Sequence, residues 1–144
     1  MKKTVPYLFP MEYEMMMVFW NSDKPLTAVD LMECRKEGSW SKNSTHPLIR
    51  TLLEKGFLEV CGTQKSGKVN SRLFVPAISM EEYLSSQVSE VYENKKSKFN
   101  IGYFMASLLG DDSANDEKII TDLEEWIKKR QNGLEDNDNH GKEK

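Results

Sequence analysis

Asn43, Ser44, His46 and Arg50 are the side chains whose types and spacing best fit a chemical task. They lie in a run from Trp40 to Phe57 in which Leu48, Ile49, Leu52 and Leu53 recur at helical intervals. At about 100° per residue the four apolar residues gather on one side of a helix, and Asn43, His46, Pro47, Arg50 and Glu54 gather on the other. An amide, an imidazole and a guanidinium on one outward face, with the Ser44 hydroxyl beside them, suit hydrogen bonding to base edges in a nucleic-acid groove. Ser41 and Lys42 just before this face, and Lys65, Lys68 and Arg72 beyond it, suit phosphate oxygens instead.

Other chemistries find little support. His46 and His140 are the only histidines, and Cys34 and Cys61 the only cysteines. A nucleophile–base pair would need the fold to bring one of those cysteines to His46. The cysteine spacing matches no zinc motif. Ser66-Gly67-Lys68 lacks the upstream glycine and the spacing of a phosphate-binding loop. The carboxylates fall mostly on polar helix faces. The expectation is a protein with no catalytic site, no metal and no cofactor.

The elements that must position the candidate residues can be read in order. Pro10 to Trp20 predicts a helix, with proline in its first turn, Glu12 and Glu14 at the positive end of the helix dipole, and Met15, Met16, Phe19 and Trp20 on a core face. After the turn cluster 21–25, Leu26 begins a short extended segment. Thr27 and Asp30 form a capping box opening a second helix from Ala28 to about Glu37, which Gly38 ends. The third helix follows, stopped at Gly56, and Pro47 requires it either to start late, near Ser44 or Thr45, or to kink. Phe57 to Cys61 alternates as a strand, Val69 to Val75 supplies its partner, and the polar stretch 62–68 joins them as a hairpin tip. Two helices, the second with a polar outer face, then a hairpin with a basic tip, make a winged helix-turn-helix.

Ser79 and Glu82 make a second capping box before a helix over about 80–94 that carries Tyr83, Leu84, Val88, Val91 and Tyr92 on one face. After an interruption at Lys95–Lys98, an apolar stripe runs through Ile101, Phe104, Met105 and Leu108. A break at 110–113 precedes a last helix, capped by Ser113 or Asn115, with Ile120, Leu123, Trp126 and Ile127. Three one-sided helices expose more apolar surface than so small a unit buries alone, so these residues are expected at a dimer interface. From Gln131 onward Leu134 is the only strongly apolar residue, and the composition predicts a disordered acidic tail. The expected architecture is mainly α with a small β-hairpin: a winged-helix domain over 1–77, helical dimerisation over 78–130, and a tail over 131–144.

Composition agrees with this division. Of 144 residues 38% are hydrophobic and 30% charged, which fits one domain or two small ones. The net charge of −3 divides into +3 over residues 1–76 and −6 over 77–144, as a nucleic-acid-contacting front and a separate assembly module would have it. No apolar run reaches the roughly 18 residues of a transmembrane helix, and the amino end has no apolar signal core. Two cysteines fit a reduced, cytoplasmic setting.

The order of elements resembles the penicillinase and methicillin-resistance repressors (the BlaI/MecI type). Glu14, Val18 and Trp20, then Trp40-Ser41, Leu48, Leu52 and Leu53, then Lys55-Gly56-Phe57-Leu58, and finally the run from Ser79 to Tyr83 carry the resemblance, over about 10–130. It implies a homodimeric transcriptional repressor that places its third helix in one half of a palindromic operator on double-stranded DNA, with the wing on adjacent backbone. The implied partners are DNA, a second copy and a signalling protein of unknown identity. Departures are specific. Ser44, His46 and Pro47 stand where the family usually has threonines and a basic residue. At 98–101 phenylalanine precedes asparagine, the reverse of the Asn-Phe bond cut in penicillin-sensing members, and no cysteine follows Cys61 as copper-responsive relatives require. The thin positive charge and Pro47 also raise an alternative, a winged-helix protein-interaction module that no longer binds DNA specifically.

Overall fold

Phe9 precedes proline and sits in extended backbone, and Pro10 opens helix α1 (Pro10–Trp20), where its missing N–H belongs to the unpartnered first turn. In this computed structural model, which describes residues 5–93, 98–110 and 116–141, the Glu12 carboxylate reaches back to the Phe9 N–H at 2.9 Å. The expected interruption at 95–97 and the break and cap at 111–115 lie outside the described residues. Met15, Met16 and Phe19 are buried, so the methionine cluster fills core.

Helix α2 (Ala28–Cys34) begins with the capping box that the sequence predicts. The Thr27 hydroxyl accepts from Asp30 N at 3.2 Å, and an Asp30 carboxylate oxygen accepts from Thr27 N at 3.0 Å. The helix ends at Cys34, earlier than expected: Arg35 takes extended backbone, and its guanidinium donates to the Trp40 carbonyl at 3.4 Å. A 3-10 turn (Lys42–Ser44) leads into α3 (Thr45–Lys55). Gly56 closes α3 at φ +84°, the left-handed conformation that L side chains rarely adopt, and Phe57 N bonds back to Leu52 O at 2.9 Å.

Strands β1 (Leu58–Ser66) and β2 (Val69–Pro76) pair antiparallel, with a bulge at Cys61 between Val60 and Gly62. The strands reach further than the sequence predicts: residues 62–66 are ladder, and the tip shrinks to Gly67 and Lys68. Gly67 at φ +64° in the first central position allows that two-residue turn. Leu26 adds a bridge to Phe74 through bonds of 2.9 and 3.1 Å, tying the start of α2 to the hairpin.

The core of this first unit gathers Met15, Met16 and Phe19 of α1, Leu31 of α2, Ile49 and Leu52 of α3, Phe57, Leu58 and Phe74 beside Trp40. Helix α4 (Met80–Glu93) joins it, with the Ser79 hydroxyl capping Glu82 N at 3.1 Å. Tyr83, expected at the dimer interface, is instead 4% exposed. Its ring stacks on Trp20 with centroids 5.9 Å apart and meets Phe57 edge-on at 5.6 Å, and its hydroxyl accepts from Leu8 N at 3.2 Å. Trp20 Nε1 in turn donates to Ile78 O at 2.9 Å. Aromatic packing across the chain thus claims Tyr83 for its own protomer. The first unit runs to Ser97, so the boundary expected at 77 falls inside it.

The second unit, Lys98–Lys144, holds α5 (Ile101–Leu109) and α6 (Asp116–Gly141). Asn100 caps α5, accepting from Tyr103 N at 2.9 Å, and Phe99 packs on Phe104 at 5.4 Å. Helix α6 continues to Gly141, past the expected boundary at 130. No proline stops it, although its last turns are rich in glycine, asparagine and aspartate.

Candidate nucleic-acid interface

The polar face of α3 is held outward by what lies beneath it. Thr45, Ile49 and Leu52 are buried, which leaves Asn43, His46, Pro47, Arg50 and Glu54 exposed together. Pro47 is the third residue of a helix that starts at Thr45, and an α-helix leaves its first N–H groups without internal partners. The late start resolves the proline without a kink. Ser44 is half-buried, and its hydroxyl pairs with Ser41 Oγ at 2.9 Å, so it offers less to a base than Asn43, His46 and Arg50 do. Thr51 donates its hydroxyl to the Pro47 carbonyl at 3.0 Å.

The far end of α3 is anchored by Lys55. Its ammonium lies 2.6 Å from Glu12 Oε1, 3.0 Å from the Tyr7 carbonyl and 4.6 Å from the centre of the Phe9 ring. Glu12 is buried, so this pair fixes α3 against α1 and the segment before it, and loss of either partner would strand a charge. At the other end the Trp40 ring is buried against the core, its Nε1 without an acceptor among the described residues.

Lys65, Lys68 and Arg72 are all exposed on the hairpin. The ladder pairs Thr63 with Arg72 and Lys65 with Asn70. Paired residues share a face of an antiparallel sheet, so these four form one polar strip. It continues the face of Phe74, over whose ring the Arg72 guanidinium sits at 5.4 Å. Lys68 occupies the turn. The sequence does not single out Thr63 and Asn70, because their face depends on the register set by the turn at Gly67; counting back from a two-residue turn would find them. Ser41 and Lys42 are exposed just ahead of α3.

Partial burial, with Asp30 and Glu33 nearby, pushes the Cys34 thiol up from its ordinary value, away from the thiolate that nucleophilic work requires. Among the described residues no three His, Cys, Asp or Glu side chains are grouped to hold a metal, and no helix is long and apolar enough to cross a membrane.

Among the residues expected at a dimer interface, Leu84, Val91 and Tyr92 of α4, Ile101 and Leu108 of α5, and Ile120, Leu123, Trp126 and Ile127 of α6 are 40–68% exposed. Val88, Phe104 and Met105 are half-buried.

No curated protein matches the chain. Among solved structures it is similar to Bacillus subtilis PadR in complex with operator DNA, with 16% identity and a TM-score of 0.45 over 88% of this chain and 72% of that one. So distant a likeness has no bearing on function. The penicillinase repressor family model matches residues 8–129, from the segment before α1 into α6. Over that span the protein belongs to the penicillinase repressor family.

Proposed function

We propose that the protein is a cytoplasmic, homodimeric transcriptional repressor, each protomer setting α3 in the major groove of one half of a palindromic operator. Asn43, His46 and Arg50 reach base edges, with Ser44 at their margin. Ser41, Lys42, Lys65, Lys68 and Arg72 contact phosphates on either side. The observation that carries this reading is the exposed polar face of α3 beside a wing whose Lys65 and Arg72 share one strip. Family membership supports it independently. The start of α3 at Thr45 places Pro47 in the first turn, which favours this reading over an interaction module without DNA, although the thin positive charge that also motivated that alternative is unchanged.

The dimer rests on the apolar residues of α4, α5 and α6 that this chain leaves exposed. A second copy is the partner that could cover the same surface on both sides. A signalling protein would act on this assembly.

Gel-shift selection of randomised duplex DNA by the pure full chain at low salt tests the reading. The expected result is an enriched palindrome whose half-sites lie about one helical turn, or a multiple of it, apart. Retention of no sequence at low salt would overturn it.

A further inference from the structure

Pro47 is the one apolar side chain among the exposed residues of the outward face from Ser41 to Glu54. At about 100° per residue it lies roughly 60° around α3 from Arg50, on the same first turns that the proposed reading sets against bases. Its ring costs the helix no hydrogen bond, because position three has none to lose. Thr51, one turn further along, spends its hydroxyl on the Pro47 carbonyl at 3.0 Å, so it does not compete with the ring for a base edge. A pyrrolidine can neither donate nor accept from its side chain. Packed directly on an amine or a carbonyl of a base edge it would leave that group unpaired, which costs binding energy, whereas packed on an apolar group it costs none. Thymine is the base whose major-groove edge carries an apolar group, the C5 methyl.

We propose that Pro47 is a specificity-determining residue that packs its ring on a thymine methyl, next to the base pair that Arg50 contacts. The inference rests on the DNA-binding reading of α3 and adds to it one position of the half-site and the kind of contact that reads it. The bland role for Pro47, stiffening the start of α3 by restricting the unfolded chain, would leave no trace on base preference.

The test uses the full chain and its selected duplex, with each thymine of the half-site replaced in turn by uracil, which removes the C5 methyl and nothing else. One thymine is expected whose replacement weakens binding about fourfold, the worth of a single buried methyl. In Pro47→Ser the affinity ratio between thymine and uracil at that position falls to about one. In Pro47→Thr, which restores a methyl, the ratio rises again. Thermal melting by circular dichroism establishes that both variants are folded, and the ratio is internal to each variant, so a general loss of affinity does not mimic the effect. A wild-type operator indifferent to uracil at every thymine overturns the inference while leaving the DNA-binding reading intact. So does a Pro47→Ser protein that keeps the full thymine preference. Selection that enriches no sequence removes the DNA-binding reading and this inference with it.

Discussion

Helices α1 to α3 on one side and helix α6 on the other answer the same kind of amphipathic sequence in opposite ways. In the first, the apolar faces of α1, α2 and α3 meet one another and the hairpin, and Met15, Phe19, Leu31, Leu52 and Phe57 disappear from solvent. Outside them lie two polar surfaces, the outer face of α3 and the basic strip of the wing, while α4 of the same unit keeps Leu84, Val91 and Tyr92 exposed. In the second, Ile120, Leu123, Trp126 and Ile127 follow an equally regular stripe along α6, yet all are 40% exposed or more. One surface is polar and basic, the other apolar. The difference teaches that helical periodicity marks a face to be covered without saying whether the cover comes from the same chain.

Changes in the two regions should therefore fail differently, and the largest effect belongs to the core. Phe57→Ala removes a fully buried ring that packs on Tyr83, and should cost about 3–5 kcal/mol in urea unfolding. A small loss would mean that the first unit is not the self-sufficient partner in the comparison. Trp126→Ala should leave secondary structure intact and weaken self-association about thirtyfold or more, the range of an interface hot spot, as read by sedimentation over a dilution series. Unchanged association would move the interface off α6.

The polar surface is tested by smaller changes. Arg50→Ala should cost about 1–3 kcal/mol on the selected operator and much less on random duplex. Equal losses on both would reassign Arg50 from base edges to backbone. Lys68→Ala, at the wing turn, should weaken all duplexes alike and lower the slope of log affinity against log salt by about one. An unchanged slope would take the wing tip off the phosphates.

Local rules made much of the first unit legible. Thr27 with Asp30 marks the start of α2, Gly56 the end of α3, and the spacing of Ile49 and Leu52 the buried face. The outward polar face of α3 follows from the same stripe by exclusion. What depended on distant partners was not legible. Tyr83 fits the stripe of α4 by spacing, and only Trp20, Phe57 and the Leu8 N–H, far away in sequence, claim it for the core. Helix α2 ends at Cys34, before Gly38, where Arg35 takes extended backbone angles that its spacing does not foretell. The shared face of Thr63, Lys65, Asn70 and Arg72 needed the hairpin register, which one glycine turn decides. Pro47 shows a middle case: the sequence limits α3 to a late start or a kink, and the buried Thr45 beneath the first turn goes with the late start.

The central claim is that the two exposed surfaces act together, one holding two copies side by side and the other setting both on one DNA site. Sedimentation equilibrium of the full chain, alone and with its selected duplex, measures that directly. The account predicts a dimer at micromolar concentration and two chains on each duplex. A monomer alone, with one chain or none bound to the duplex, would contradict it.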